Sequence, residues 1–318
     1  MSLVQENSRI LVTGGAGFIG SHVVDKLVET DVEVRVLDNL DTGKMENVAQ
    51  HGKSSNFSFV EGDIRDLQLV KQLVKGVDAV VNLAAIASVQ RSVEDPLLVN
   101  EVNVRGTLNL LKASVDGNVK RFIQASSAAV YGDVQRLPVC EDFSPVPLSP
   151  YAVSKLAAES YAMVFNRVYG LGAVCLRYFN VYGPRQANNP YSGAITIFAN
   201  EILARRPPRI FGDGEQTRDF VFVDDVVSAI MLALTKKNAV GEVFNVASGR
   251  AISINSVVEI LQRILGGDLR PVHGRPREGD IRHSYASVEK ARALLGFDPV
   301  FSLEEGLREL GRHMADSS

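Results

Sequence analysis

Tyr151 and Lys155 stand four residues apart in Tyr-Ala-Val-Ser-Lys, which puts both on one face of a helix. A phenol has an ordinary pKa of about 10, so Tyr151 needs neighbouring positive charge to act as a base near neutral pH. Lys155 supplies one such charge, and a cationic group bound nearby would supply a second. Ser127 ends a strand-like run 24 residues upstream, where its hydroxyl can hold and position a substrate oxygen. Taken singly, Tyr-x-x-x-Lys is a common pair, two amphipathic side chains lying on a helix surface. Its weight comes from what precedes it in the chain.

Upstream, Thr13–Gly20 reads Thr-Gly-Gly-Ala-Gly-Phe-Ile-Gly, with Gly14, Gly17 and Gly20 spaced as G-x-x-G-x-x-G and Gly15 adding flexibility. A loop of this kind between a strand and a helix gives a tight turn, close backbone approach to a pyrophosphate, and a helix N-terminus aimed at negative charge. Asp38 follows the second strand, 18 residues past Gly20. A carboxylate there accepts hydrogen bonds from both ribose hydroxyls and repels a 2′-phosphate. Asn39-Leu40-Asp41-Thr42 follows it with no arginine, which favours NAD over NADP. Asp63-Ile64, after the third strand, is placed to meet an adenine edge.

The elements that position these residues alternate. Strand-like runs at Arg9–Thr13, Val32–Leu37, Phe57–Val60, Ala79–Leu83, Arg121–Ala125 and Val174–Tyr178 are interleaved with helical patterns at Gly17–Glu29, Leu67–Val74, Val99–Val115 and Ser149–Tyr169. Pro150 sits just inside the start of the last helix and Gly170 just past its end. This is the pattern of an α/β fold with a doubly wound parallel (Rossmann) sheet. After about residue 180, prolines punctuate shorter elements. Residues 1–180 are therefore expected to form a dinucleotide-binding domain, rejoined by segments near 220–250 that include a returning strand at Glu242–Val246. Residues 181–318 are expected to form mainly a smaller, discontinuous substrate-binding lobe.

Composition sets bounds on partners. The 318 residues carry 34 basic and 37 acidic side chains, a net charge of −3, with 46% hydrophobic and 22% charged residues. That balance argues against a dedicated nucleic-acid or membrane-surface binder, which needs a net basic face. Met1 to Asn7 has no apolar core of a secretory signal, and no apolar run approaches the ~18 residues of a membrane span. Cys140 and Cys175 have neither Cys-x-x-Cys spacing nor a ligand cluster, and the five histidines are scattered, so no metal site is expected. The expectation is a soluble cytoplasmic protein.

Set together, these motifs make the chain resemble an extended member of the short-chain dehydrogenase/reductase superfamily, and within it a nucleotide-sugar 4-epimerase. The resemblance spans nearly the whole chain. It rests on Thr13–Gly20, Gly62-Asp63-Ile64-Arg65-Asp66, Asn82-Leu83-Ala84-Ala85, Asn103-Val104-Arg105-Gly106-Thr107, Ser126–Gly132, Tyr151–Lys155, Arg177–Pro184, Arg218-Asp219-Phe220 and Arg277-Glu278-Gly279-Asp280. It implies NAD contacts from Gly14, Gly17, Phe18, Ile19 and Gly20, and from Asp38, Asn39, Thr42 and Gly43. Asp63, Ile64, Leu83, Ala84, Ala85, Asn103, Tyr151, Lys155 and Tyr178 complete that set. Ser127, Tyr151 and Lys155 are then the catalytic residues, with Lys155 also holding the nicotinamide ribose.

The similar enzymes begin by oxidising the sugar C4 hydroxyl and diverge afterwards. The 4,6-dehydratases carry an Asp-Glu pair directly after the catalytic Ser or Thr, and decarboxylating relatives keep the Glu. Here those positions are Ala128 and Ala129, which transfer no protons. The resemblance further implies that Arg218 and Arg277 grip a diphosphate, since guanidinium forks match phosphate oxygens. Asn180 matches a substrate-binding residue and Asp280 an acid that contacts the nucleotide ribose. Ser284 falls where a bulky Tyr restricts similar enzymes to glucose and galactose, so a Ser leaves room for an acetamido group. The expected activity is NAD-dependent 4-epimerisation of UDP-glucose and UDP-N-acetylglucosamine. The alternatives are a dehydratase, decarboxylase or reductase of the same branch, or a non-catalytic NAD-binding protein. Similar enzymes form homodimers through two helices, matched here by Val99–Val115 and Ser149–Tyr169.

Overall fold

Ile10 and Val12 of β1 (Arg9–Thr13) pack on one side of a sheet and Leu11 on the other, and all three are completely buried. A strand with both faces covered must read as a continuous apolar run, and such runs are the hallmark of a parallel sheet. The computed structural model describes residues 8–187, 193–276 and 281–316. Its strands continue with β2 (Glu33–Asp38), β3 (Phe57–Glu61), β4 (Ala79–Asn82), β5 (Arg121–Ser127), β6 (Ala173–Tyr178) and β7 (Asn180–Tyr182). Then come β8 (Arg209–Phe211), β9 (Thr217–Arg218), β10 (Phe220–Phe222), β11 (Val243–Val246), β12 (Ile252–Ser253) and β13 (Val272–Gly274). The helices are α1 (Phe18–Val28), α2 (Leu67–Val74), α3 (Val89–Glu94), α4 (Pro96–Asn100), α5 (Thr107–Asp116), α6 (Pro150–Tyr169), α7 (Ala194–Leu203), α8 (Val223–Thr235), α9 (Ile254–Leu265) and α10 (Leu303–Asp316).

Seven strands form one parallel sheet in the order β11-β6-β5-β4-β1-β2-β3, a doubly wound α/β architecture. One face is covered by Val23, Val24 and Leu27 of α1 and by Val226, Ile230 and Leu234 of α8. The other is covered by Val70 and Leu73 of α2, Leu110 and Leu111 of α5, and Ala162 and Phe165 of α6. The winding order of the strands reverses between β1 and β4, and the crevice beyond the strand ends at that point is where doubly wound sheets bind ligands.

Beyond this sheet a separate apolar cluster joins α7, α9 and α10, and includes Tyr182 and Phe222. The Asp225 carboxylate of α8 accepts backbone N–H bonds from Val300 (2.9 Å) and Phe301 (3.3 Å), tying the chain before α10 to the sheet-covering layer. Among the described residues, no helix is long and apolar enough to cross a membrane.

Two helical segments position the chemistry. On α6, the Ser149 hydroxyl accepts the Ala152 N–H at 3.1 Å, Pro150 opens the first turn, and Gly170 closes the helix in the left-handed conformation at φ 72°. The helix expected over Val99–Val115 begins earlier and is not uniform. Asp95 caps α4, and a π-helical turn, Glu101–Gly106, separates α4 from α5. The wider turn carries Asn103 inward, against both the loop after β4 and α6.

Candidate active site

A cavity of about 560 Å³ lies at the carboxyl ends of the sheet strands, over the β1–β4 reversal. The glycine loop forms part of its wall. Gly14 has φ +70°, and a Cβ there would lie 2.8 Å from the Ala84 nitrogen. A Cβ on Gly20 would lie 2.1 Å from the Gly14 carbonyl oxygen. Neither position has room for a side chain, and the bare backbone forms the surface of the cleft. Gly17 precedes α1 without a side-chain cap, so the first N–H groups of that helix are left for an anion.

The Asp38 carboxylate lies beside this loop, accepting N–H bonds from Ala16 at 2.9 Å and Leu40 at 2.8 Å. Burial pushes its pKa up, while those two hydrogen bonds pull the other way. Gly43 packs against it, where a Cβ would come within 2.9 Å of a carboxylate oxygen. Asp63 is held below the usual carboxylate range, chiefly by its paired hydrogen bonds with Arg65 at 3.0 and 2.8 Å. Asn39 donates a further bond to Asp63 at 3.0 Å.

Ser127, Tyr151 and Lys155 converge on the same cavity. Lys155 is buried and donates to the Ala125 carbonyl at 3.0 Å. Desolvation lowers its pKa from the usual 10.5 to about 8. Burial pushes the Tyr151 phenol above its ordinary value, and a hydrogen bond with the Ser127 hydroxyl acts against that shift. Ser127 ends β5, and its oxygen accepts the Ala129 N–H at 3.2 Å, which starts the short turn Ala128–Tyr131. The arrangement is a phenol, an ammonium and a hydroxyl facing one space, with no carboxylate in the two positions after Ser127.

Most of the residues singled out from sequence line this cavity: Gly14, Gly17, Phe18, Ile19, Gly20, Asp38, Asn39, Thr42, Asp63, Ile64, Leu83, Ala84, Ala85 and Tyr178, besides the three above. Gly43 and Asn103 do not: Gly43 sits beside the Asp38 carboxylate. The Asn103 amide is spent on the Ile86 backbone (2.8 and 3.1 Å) and on the Ser154 hydroxyl (2.9 Å), so it braces the wall from behind. Asn180, Arg218 and Ser284 lie outside the cavity lining but near one another. The Asn180 amide donates to the Asp219 carbonyl at 3.0 Å, and Arg218 immediately precedes Asp219. The Ser284 N–H donates to the Thr217 carbonyl at 3.1 Å. Arg277 and Asp280 lie outside the described residues.

Several lining residues were not singled out from sequence. Arg91 of α3 lines the cavity and reaches Asp41 at 2.6 Å, and Gln186 lines it while accepting the Thr196 hydroxyl at 2.6 Å. Only the tertiary fold turns these side chains inward. Asp219 stood in a motif but without a role. Its fully buried carboxylate accepts from Ser248 N–H and hydroxyl (both 2.7 Å), Gly249 N–H (3.0 Å) and Ala286 N–H (3.1 Å).

Comparison with known proteins fits this geometry. Residues 10–247 match the model of the NAD dependent epimerase/dehydratase family. A UDP-glucose 4-epimerase from Thermotoga maritima, solved with UDP-glucose, is 43% identical, with a TM-score of 0.92 over 97% of this chain and 99% of that one. A UDP-N-acetylglucosamine 4-epimerase from Methanobrevibacter ruminantium is 39% identical, with a TM-score of 0.94 over 99% and 100% of the two chains. A UDP-glucose 4-epimerase from Thermus thermophilus, solved with NAD, is 39% identical, with a TM-score of 0.87 over 98% and 100%.

NAD is the cofactor of this family, and the residues present fit it. The side-chain-free cradle at Gly14 and Gly20 suits a pyrophosphate, and Asp38 offers an acceptor where a ribose would lie. The buried Tyr178 hydroxyl has no hydrogen-bond partner among the described residues and lines the same cavity. Gly20→Ala should therefore displace the loop and lose roughly tenfold or more in NAD affinity, ~1.4 kcal/mol per decade. Titration of the folded variant with NAD by calorimetry checks this, and unchanged affinity would show that the loop does not carry the pyrophosphate.

Proposed function

The chain belongs to the NAD dependent epimerase/dehydratase family, and from that premise we propose that it interconverts UDP-sugars at C4, acting on UDP-glucose and UDP-N-acetylglucosamine. The observation that carries this reading is the convergence of Ser127, Tyr151 and Lys155 on one cavity, with Ala128 and Ala129 in the following positions. Dehydration and decarboxylation need proton-transfer groups that two alanines do not offer.

NAD, when bound, supplies the acceptor and later the donor of a hydride at sugar C4. The protein supplies the rest. Tyr151 takes the proton of the 4-hydroxyl and, after the 4-keto intermediate has turned over to offer its opposite face to the returning hydride, gives the proton back to the C4 oxygen. Ser127 holds the C4 oxygen within reach of Tyr151. Lys155, one helical turn along, stabilises the phenolate with its ammonium and reaches the nicotinamide ribose. Turnover of the sugar in place demands weak sugar contacts and strong nucleotide contacts. We assign the strong contacts to the lobe of residues 181–318, through Arg218, Arg277 and Asp280, together with Asn180 at its edge. Small Ser284, bonded through its N–H to the Thr217 carbonyl next to Arg218, leaves room for an acetamido group.

The same reading makes the protein a homodimer. Val153, Tyr161, Val164 and Val168 of α6 are 53%, 41%, 49% and 63% exposed, and Leu97 of α4 is 78% exposed, apolar surface that a second copy would cover. Light scattering should give twice the chain mass, and V164E/V168E should give the single mass. A wild-type monomer would remove the homodimer.

The activity is tested by incubating the protein with each UDP-sugar and following the anomeric protons by NMR. The 4-epimer should form from both, and Tyr151→Phe should lower turnover on the order of 100-fold or more while sparing NAD binding. Conversion of UDP-glucose alone would remove the Ser284 assignment, and conversion of neither would remove the reading.

The rate should also fall as pH rises through about 8, where Lys155 loses the proton that supports the phenolate. Lys155→Arg, which keeps its charge, should move that limb upward in whatever activity remains. Unfolding predicts the opposite sign for this group: between pH 8 and 10.5 the folded state binds fewer protons at Lys155 than the unfolded chain, so its contribution to stability rises with pH. A pH–rate profile, with the melting temperature measured alongside, separates the two, and a flat profile through this range would contradict the role given to Lys155.

A further inference from the structure

Behind the catalytic residues, outside the cavity lining, lies a buried ion pair. Glu159 is on α6, one turn beyond Lys155 and two beyond Tyr151. Its carboxylate accepts Arg177 Nη2 at 2.6 Å on one oxygen and Arg177 Nε at 3.0 Å on the other. The second oxygen also accepts the Ser126 hydroxyl at 2.6 Å. Each of these side chains is about 5% exposed or less. Ser126 is the neighbour of Ser127 on β5, and Arg177 is paired with Ser126 across the β5–β6 register.

One carboxylate therefore fastens the helix carrying Tyr151 and Lys155 to the strand ending in Ser127, and both to the strand ending in Tyr178. The guanidinium is fixed in turn. It stacks over the Tyr131 ring at 4.6 Å and donates to the Glu141 carbonyl at 3.3 Å. The Tyr131 hydroxyl donates to Asn245 of β11 at 2.7 Å, and the Asn245 amide donates to the Val139 and Ser287 carbonyls. Neither charge lines the cavity. Ser126 does, but its hydroxyl is turned back to Glu159, which leaves Ser127 as the hydroxyl facing Tyr151.

A planar two-point pair of this kind fixes direction as well as distance. Apolar packing holds α6 on the sheet, and the pair adds directional hydrogen bonds that join α6, β5 and β6 directly behind Tyr151 and Ser127. We propose that the Glu159–Arg177 pair, with Ser126, is a positioning device that sets the separation of Tyr151 from Ser127 for proton transfer at the sugar. This rests on the epimerase reading above. Misplacement of reacting groups by about 1 Å can lower a rate on the order of 100-fold, so the effect belongs in kcat.

The test uses the full chain with NAD and whichever UDP-sugar the wild type converts. Ser126→Ala removes one strand link and leaves the ion pair intact. The double variant E159L/R177M removes both charges together, so that no buried charge is left unpaired. Expected is a fall in kcat of about tenfold or more in the double variant, and a smaller fall in Ser126→Ala, with KM within about twofold of wild type in both. Turnover is counted per bound NAD, so that unfolded protein does not enter the rate.

A kcat within about twofold of wild type in folded double variant would overturn the proposal. Should the double variant not fold, Ser126→Ala decides alone: a lowered kcat at unchanged KM and melting temperature supports positioning, and an unchanged kcat overturns it. A wild-type protein that converts no UDP-sugar would instead refute the epimerase reading, an outcome distinct from any of these.

Discussion

A parallel sheet must be covered on both faces, and that requirement organises this protein. Each of β1, β4, β5 and β6 is walled by helices on two sides, so their side chains are committed to packing along most of their length. The places left for chemistry are the strand ends and the loops beyond them. At the carboxyl ends, the reversal between β1 and β4 opens a crevice that neither helical layer closes. The positions of the glycine loop, Asp38, Asp63, Leu83–Ala85 and Ser127 all follow directly from this: each lies where the chain leaves a strand.

Catalytic groups inside such a crevice face a conflict between order and charge. Burial orders Lys155, but it also lowers its pKa to about 8, so its charge is less secure than that of a surface lysine. Tyr151 is pushed the other way and is less acidic for being enclosed. Two groups with shifts in opposite directions along one helix face become a working pair only when positive charge is close to the phenol. In the proposed reaction that charge comes from Lys155 and from the oxidised nicotinamide. On that reading the phenol ionises more readily in the loaded site than in the empty one, which favours the base in the state in which a hydride acceptor is present.

The sheet was readable from sequence because two-sided burial leaves no alternative to apolar runs such as Ile10-Leu11-Val12, and its connecting helices followed from period and caps. Ser149, Pro150 and Gly170 mark α6 through local backbone chemistry that needs no tertiary context. The π turn at Glu101–Gly106 had no such marker. A Cβ on Gly106 would lie 2.5 Å from Ile64, so that glycine answers to a residue distant in the chain. Asn103 illustrates the same limit at the site. Its type suits a cofactor contact, but its amide is consumed by Ile86 and Ser154, which only the folded chain brings near. Arg91 and Gln186 were missed for the converse reason: surface-type residues were turned into a cavity by packing that is not a local property.

Glu159 and Arg177 extend this distinction from recognition to design. Residues that touch a ligand announce themselves by chemical type, whereas residues that hold those in place are recognisable only by what they connect. A buried carboxylate with three strong donors is costly to desolvate, and a pair of well-packed apolar side chains of similar volume would stabilise the fold at least as well. What the pair adds is a set of directional hydrogen bonds joining α6, β5 and β6. On the proposed reaction, proton transfer at the C4 oxygen must serve both orientations of a sugar that turns over between the two half-reactions, while Tyr151 and Ser127 stay still. The looser the sugar is held, the more rigidly the protein side must be held. On the proposal made above, the charged, two-point clamp behind the end of β5 meets that demand.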